Sequence, residues 1–140
     1  SIAGLAAITP ASGKVGPLGA ICIGSLSALL CWLACAKLKK KFGYDDSLDV
    51  FGVHGVGGFV GTLLVAVFGS TAFAGGLGDF AIGKQLMTQL LASVYTIVLS
   101  GIASYAILKV IDLTIGLRIS PEEENMGSDL AEHGETAYTH

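Results

Sequence analysis

Polar positions in this chain are bunched, and the stretches between them are apolar for lengths that a membrane crossing requires. The segment 17–36, PLGAICIGSLSALLCWLACA, contains no charged side chain. A bilayer core takes about 20 apolar residues to cross as a helix, so this window predicts a first span. Pro17 suits the opening turn, where the missing N–H has no partner to lose. A second span is predicted over 48–68, with His54 the one ionisable group well inside it. A third, longer than one crossing demands, is predicted over 84–117. Residues 1–16 read as the end of a preceding apolar helix and an external loop. No basic stretch precedes them as a signal peptide would need. The sequence is therefore expected to be part of a longer parent.

The charges set the direction of these spans. Lys37, Lys39, Lys40 and Lys41 fall in the short loop 37–47, and a lysine excess in a short loop marks the cytoplasmic side. The first span then runs inward and the second outward. The glycine-rich stretch 69–83 becomes an external loop, and the third span returns inward to Lys109 and Arg118. Asp46 stands at the cap position of the second span with Asp49 three residues on, both at the positive end of the helix dipole. Asp112 is expected to pair with Lys109 or with loop backbone. From 118 to 140 the chain turns polar and acidic, predicting a cytoplasmic tail. Ser120-Pro121-Glu122-Glu123 has the form of a capping box that opens a short helical turn. The rest of the tail is too polar to bury a core, and His133 and His140 are expected in solvent.

Composition agrees with the pattern. The chain is 52% hydrophobic and 14% charged, against about 25% charge in soluble domains, and its mean hydropathy is +0.71. The expected class is an all-α polytopic membrane protein in contact with the lipid bilayer. No basic patch interleaved with aromatics is present, so no nucleic-acid partner is expected. Cys22, Cys31 and Cys35 share one span and cannot form a disulfide framework. Cys31 and Cys35 lie one helical turn apart and would admit a soft metal, but small packing residues account for them. No phosphate-cradling loop, catalytic triad or metal cluster is seen, so neither an enzyme nor a cofactor is expected.

His54 is the candidate for chemistry. A polar group at that depth faces a protein interior or a wet cavity, because lipid cannot satisfy it. A neutral imidazole donates from one nitrogen and accepts at the other, which suits a small hydride or a proton relay. The alternative is a histidine bonded to a nearby backbone carbonyl. Gly52, Gly55, Gly57, Gly58 and Gly61 surround it, and Gly57 and Gly61 make a pair that lets helices approach closely in lipid. They are assigned to helix packing around a narrow pathway. Asp49 is open between a capping carboxylate and an anionic vestibule group.

Taken together, GLAAITPASGKVGPLGA, YDDSLDVFGVHGVGG, DLTIGLR and HGETAY resemble the second half of the Amt branch of the ammonium transporter family, Amt/Rh. The likeness covers essentially the whole chain. It implies an eleven-helix inverted-repeat fold, of which this chain would supply the last three transmembrane helices and the cytoplasmic tail. It also implies a homotrimer with one pore per subunit in the plasma or inner membrane, C-terminus cytoplasmic. Inverted repeats place the substrate route at the repeat interface. His54 matches the second of two pore histidines, Val50 a nearby pore-wall residue and Asp49 a carboxylate of the cytoplasmic vestibule. The implied activity is nitrogen uptake as ammonium, which loses a proton on entry so that ammonia passes the histidine pair. Desolvating an ion in a dry pore is costly, while neutral ammonia is cheap, and potassium cannot shed a proton.

The resemblance places the first histidine and the outer recruitment site upstream of Ser1. It implies a regulatory tail that packs on a neighbouring subunit. Ala131 stands where plant relatives carry a regulatory threonine, and Thr136 and Thr139 carry no mark of a target. Bacterial relatives imply a PII signal protein as a partner on the cytoplasmic face. Two rival readings are an ammonium sensor of the same fold and a membrane metal or haem protein using His54, for which no second ligand is found. Without their repeat partners, these helices are expected to expose His54 and the glycine face to lipid, and the isolated chain is not expected to transport.

Overall fold

The computed structural model describes residues 1–135. It comprises two compact units, Ser1–Thr96 and a second that begins at Ile97. Among the described residues all regular structure is helical. Helix α1 is Ile2–Ile8, followed by a 3-10 turn at Thr9–Ala11. Helix α2 is Pro17–Phe42, α3 is Phe51–Phe68 and α4 is Ile82–Thr114. Helix α5 is the short Pro121–Met126. Three of these, α2, α3 and α4, are long and apolar enough to cross a membrane.

In the first unit α1, α2 and α3 pack against one another, and they do so through small side chains. On α2 the buried residues Gly19, Ile23, Ser27 and Cys31 stand one helical turn apart, with Ala34 buried just beyond them. On α3 they include Gly57, Gly61 and Val65 at the same spacing. Ala7, Ala11, Ile23 and Val65 form the core, with Ile8, Val15, Leu64 and Phe68 laid against it. Lipid gives helices no hydrophobic reason to associate, so contact comes from close backbone approach, which glycine and alanine permit.

Two helices widen where they meet. Helix α2 takes a π turn at Ala34–Leu38 and α3 takes one at Phe51–Gly55. A π turn absorbs an extra residue, so Gly52 and Gly57, five apart, both remain on the packed side of α3. The two widened turns touch, with the Cys35 thiol seated over the bare backbone of Gly52. Helix α2 does not stop at Ala36 but continues through the lysines to Phe42. Lysine is a good helix former, and the end comes at Gly43, whose φ of 61° is left-handed.

At the opposite end the loops are tied together by backbone hydrogen bonds. The Gly76 N–H donates to the Lys14 carbonyl at 2.9 Å and the Leu77 N–H to Gly69 at 3.0 Å. Thr71 donates to Asp79 beside a 3-10 turn at Thr71–Phe73 that Ser70 caps.

The second unit contains the end of α4, which has no buried residue along its length. Lys109 pairs with Asp112 at 3.4 Å, as the sequence suggested. Gly116, with φ of 82°, follows α4, and its N–H donates back to Ile111 at 3.2 Å. Helix α5 opens with the capping box that Ser-x-x-Glu predicts. The Ser120 hydroxyl accepts the Glu123 N–H at 3.3 Å, and the Glu123 carboxylate accepts the Ser120 N–H at 2.8 Å. Arg118 closes on Glu124 at 2.6 Å. A π turn at Asp129–His133 follows, with His133 exposed. His140, Thr136 and Thr139 lie outside the described residues.

Candidate functional site

The start of α3 is built by two aspartates with different tasks. The Asp46 carboxylate accepts the Val50 N–H at 2.8 Å and the Phe51 N–H at 2.9 Å. It therefore satisfies two of the unpaired donors at a helix N-terminus. Asp49 takes the left-handed backbone, φ 54°, a conformation that aspartate tolerates better than most residues. Its carboxylate turns to Lys39, whose Nζ lies 2.8 Å from Asp49 Oδ1 and 2.5 Å from the Asp46 carbonyl oxygen. Tyr44 stands edge-on to Phe51, with ring centroids 5.6 Å apart. Its hydroxyl is buried with no partner among the described residues. Burial, and then the nearby Asp46 charge, push the Tyr44 phenol up from its ordinary range.

His54 lies in the π turn of α3, on its open side. Val50 and Phe51 are about half exposed, at 51% and 52%, while Gly52 is buried behind them. Among the described residues the imidazole has no hydrogen-bond partner, unlike a histidine tied to its own backbone. The Cys31 thiol, a weak donor, instead approaches the Val53 carbonyl oxygen at 3.7 Å.

The glycines divide between the two faces of α3. A methyl on Gly52 would overlap Cys35, and one on Gly57 would lie 3.2 Å from the Cys31 sulfur. One on Gly61 would overlap the Ala7 carbonyl. These three pack α3 onto α1 and α2. Gly55 meets only the Phe51 ring of its own helix, and Gly58 meets nothing within 4 Å. Gly58 is one turn beyond His54, on the same side of the helix. The expectation that the glycine face would be exposed is thus corrected. Gly52, Gly57 and Gly61 are buried because α1 reaches the middle of α3, and the exposed side is that of Val50, His54 and Gly55, with Gly58 half-buried.

Sequence reasoning missed the pairing of Asp49 with Lys39. A signal was present: Cys31, Cys35 and Lys39 continue, at four-residue steps, the buried stripe Gly19, Ile23, Ser27 of α2. That stripe carries Lys39 alone of the lysine cluster toward α3, leaving Lys37, Lys40 and Lys41 exposed. Among the described residues no group of three or more His, Cys, Asp or Glu side chains could hold a metal.

Membrane-length helices packed through glycine and alanine, with a lone imidazole inside one of them, define a helical membrane protein. Residues 1–138 match the Ammonium Transporter Family, and the chain belongs to that family. It is 44% identical to an ammonium transporter of Bacillus subtilis, over 99% of this chain and 35% of the relative. It is 44% identical to one from Aquifex aeolicus, over 98% of this chain and 32% of the relative. The ammonium transporter Amt1 of Archaeoglobus fulgidus is 40% identical, over 99% of this chain and 36% of its own length. The chain spans about a third of the length of these curated relatives.

Proposed function

We propose that the protein containing this chain moves ammonium across a membrane, and that His54 is the residue of this chain that acts in conduction. The observation behind this reading is the placement of His54. It sits in the widened opening turn of a membrane-length helix, nearer the helix start than the sequence suggested. The other face of that helix is closed by Gly52, Gly57 and Gly61. An imidazole left open on a membrane-spanning helix needs a polar or hydrated neighbour, and a second histidine outside this chain would supply one. Ammonium would lose its proton on entry, and His54 would orient ammonia and relay a proton with that partner. Val50, one turn below on the same open face, would line the path, and Asp49 would stand at its inner mouth. The assembly belonging to this proposal is a homotrimer of eleven-helix inverted-repeat subunits in the plasma membrane. The lysine ends and the tail would be cytoplasmic, and a PII signal protein would dock on that side.

The test is an ammonium pulse applied to liposomes that hold the full-length protein, beside the same protein with His54→Ala. Both must first be shown to assemble. Flux or current in the first, lost or made leaky to potassium in the second, is expected. No ammonium-dependent flux from a well-folded unchanged protein would overturn the proposal.

A further inference from the structure

Lys39 is set apart from the rest of its cluster. Lys37, Lys40 and Lys41 are exposed, while the Lys39 side chain keeps only 29% of its surface, drawn in against the start of α3. Its ammonium nitrogen has two acceptors, the Asp46 carbonyl oxygen at 2.5 Å and Asp49 Oδ1 at 2.8 Å. The Asp46 carboxylate is committed elsewhere, to the N–H groups of Val50 and Phe51. One carboxylate oxygen and one carbonyl oxygen therefore converge on a single N–H-donating cation, and that cation is tethered to the chain. A primary ammonium and a free ammonium ion present the same kind of donor, a tetrahedral N⁺–H, to such a pair.

We infer that Lys39 is a specificity-determining residue. Its ammonium occupies, from within the chain, the carboxylate and carbonyl of Asp49 and Asp46 that would otherwise hold an ammonium ion at this end of the histidine helix. The inference rests on the proposed transport reading only for its consequence, which is that an ion leaving past His54 is not captured by Asp49. The occupancy itself follows from the geometry. A tethered competitor acts at an effective concentration of roughly millimolar or above. Asp49 is partly exposed, at 42% of its side chain, and such a carboxylate binds free monovalent cations weakly. The tethered group therefore wins. Removing the lysine charge uncovers a site and leaves its acceptors in place.

The experiment uses the full-length protein, unchanged and with Lys39→Met, Lys39→Arg, and Lys39→Met combined with Asp49→Asn. Thermal unfolding in detergent is followed in ammonium chloride against sodium chloride of equal ionic strength. Lys39→Met is expected to gain an ammonium-specific rise in Tm beyond that of the unchanged protein. Lys39→Arg and the double variant are expected not to gain it. In liposomes Lys39→Met should show a lower half-saturation and a lower maximal flux together, which a purely structural defect would not produce. Equal ammonium responses in the unchanged protein and Lys39→Met would overturn the inference, as would a response that survives in the double variant. Should Lys39→Met fail to fold, Lys39→Gln takes its place. Failure of both beside a folded Lys39→Arg would assign Lys39 to structure alone and overturn the inference. A Tm gain in Lys39→Met without flux from any protein would sink the transport reading and leave the Lys39 assignment standing.

Discussion

Gly61 of α3 leaves no room for a methyl group against the main chain of Ala7 in α1: a Cβ there would overlap the Ala7 carbonyl oxygen. Backbone cannot swing aside as the end of a flexible side chain can, so α1 and α3 must part to admit one. Overpacking of this kind costs about 1–3 kcal/mol. Gly61→Ala is expected to lower the Tm of the full-length protein in detergent. Gly58→Ala is the matched control, because a Cβ at Gly58 meets nothing within 4 Å. An equal loss of Tm in both variants would show that helix propensity or a neighbour outside this chain, and not the Ala7 contact, sets the effect.

Gly52 and Cys35 make the second close approach, where the widened turns of α2 and α3 meet. A methyl on Gly52 would overlap the Cys35 sulfur, and the next nearest atom, the Cys35 amide nitrogen, is 3.4 Å away. The clash is thus mostly with one side-chain atom. Gly52→Ala alone is expected to destabilise, and adding Cys35→Ala should restore most of the loss. Contacting pairs commonly show coupling of about 0.5–3 kcal/mol in a double-mutant cycle. Strict additivity of the two changes in Tm would count against a direct contact.

Much of this arrangement could be read from the sequence, for physical reasons that differ by element. Charge-free windows of bilayer length reveal the spans of α2, α3 and α4, because length and hydropathy are all that crossing requires. Ser120 and Glu123 declare their capping box because both hydrogen bonds are local. Asp46 is legible as a cap for the same reason. The π turns are not legible, since the five-residue step from Gly52 to Gly57 breaks the regular helical count and looks like noise until the turn is seen. The division of the glycines into packed and open faces depends on that same step. The pairing of Lys39 with Asp49 joins two helices across a loop, and a pattern read along one helix at a time passes over it.

Asp46 gives a prediction about the helix that bears His54. Its carboxylate is the acceptor for both the Val50 and Phe51 N–H groups. Replacing a capping side chain by alanine typically costs about 1 kcal/mol. Asp46→Ala is expected to speed amide exchange at Val50 and Phe51 most, with smaller effects toward Phe68. Asp46→Asn should retain part of the protection, because its amide oxygen still accepts one bond. Unchanged exchange at Val50 and Phe51 in Asp46→Ala would remove Asp46 from this role.

The tail carries a pH dependence whose sign follows from its hydrogen bonds. The Ser120 backbone N–H, and then the Ser120 hydroxyl interaction, hold the Glu123 carboxyl below its usual range. A carboxyl whose folded pKa is depressed contributes stability above its unfolded value and loses it as pH falls through the folded one. Protection of the Ser120 amide, expressed against its intrinsic exchange rate at each pH, should therefore be full at neutral pH. It should decline only below the ordinary glutamate range, near about 4.3. Glu123→Gln keeps an acceptor for the Ser120 N–H but cannot titrate, so its protection is expected to be weaker and flat with pH. Ser120→Ala should lower protection of the Glu123 amide at every pH, since the hydroxyl acceptor is gone. Exchange followed by mass spectrometry over residues 118–127 of the full-length protein separates these cases. A pH-dependent loss that persisted in Glu123→Gln would assign the titration to another group, with Glu124, bound to Arg118, the first to examine.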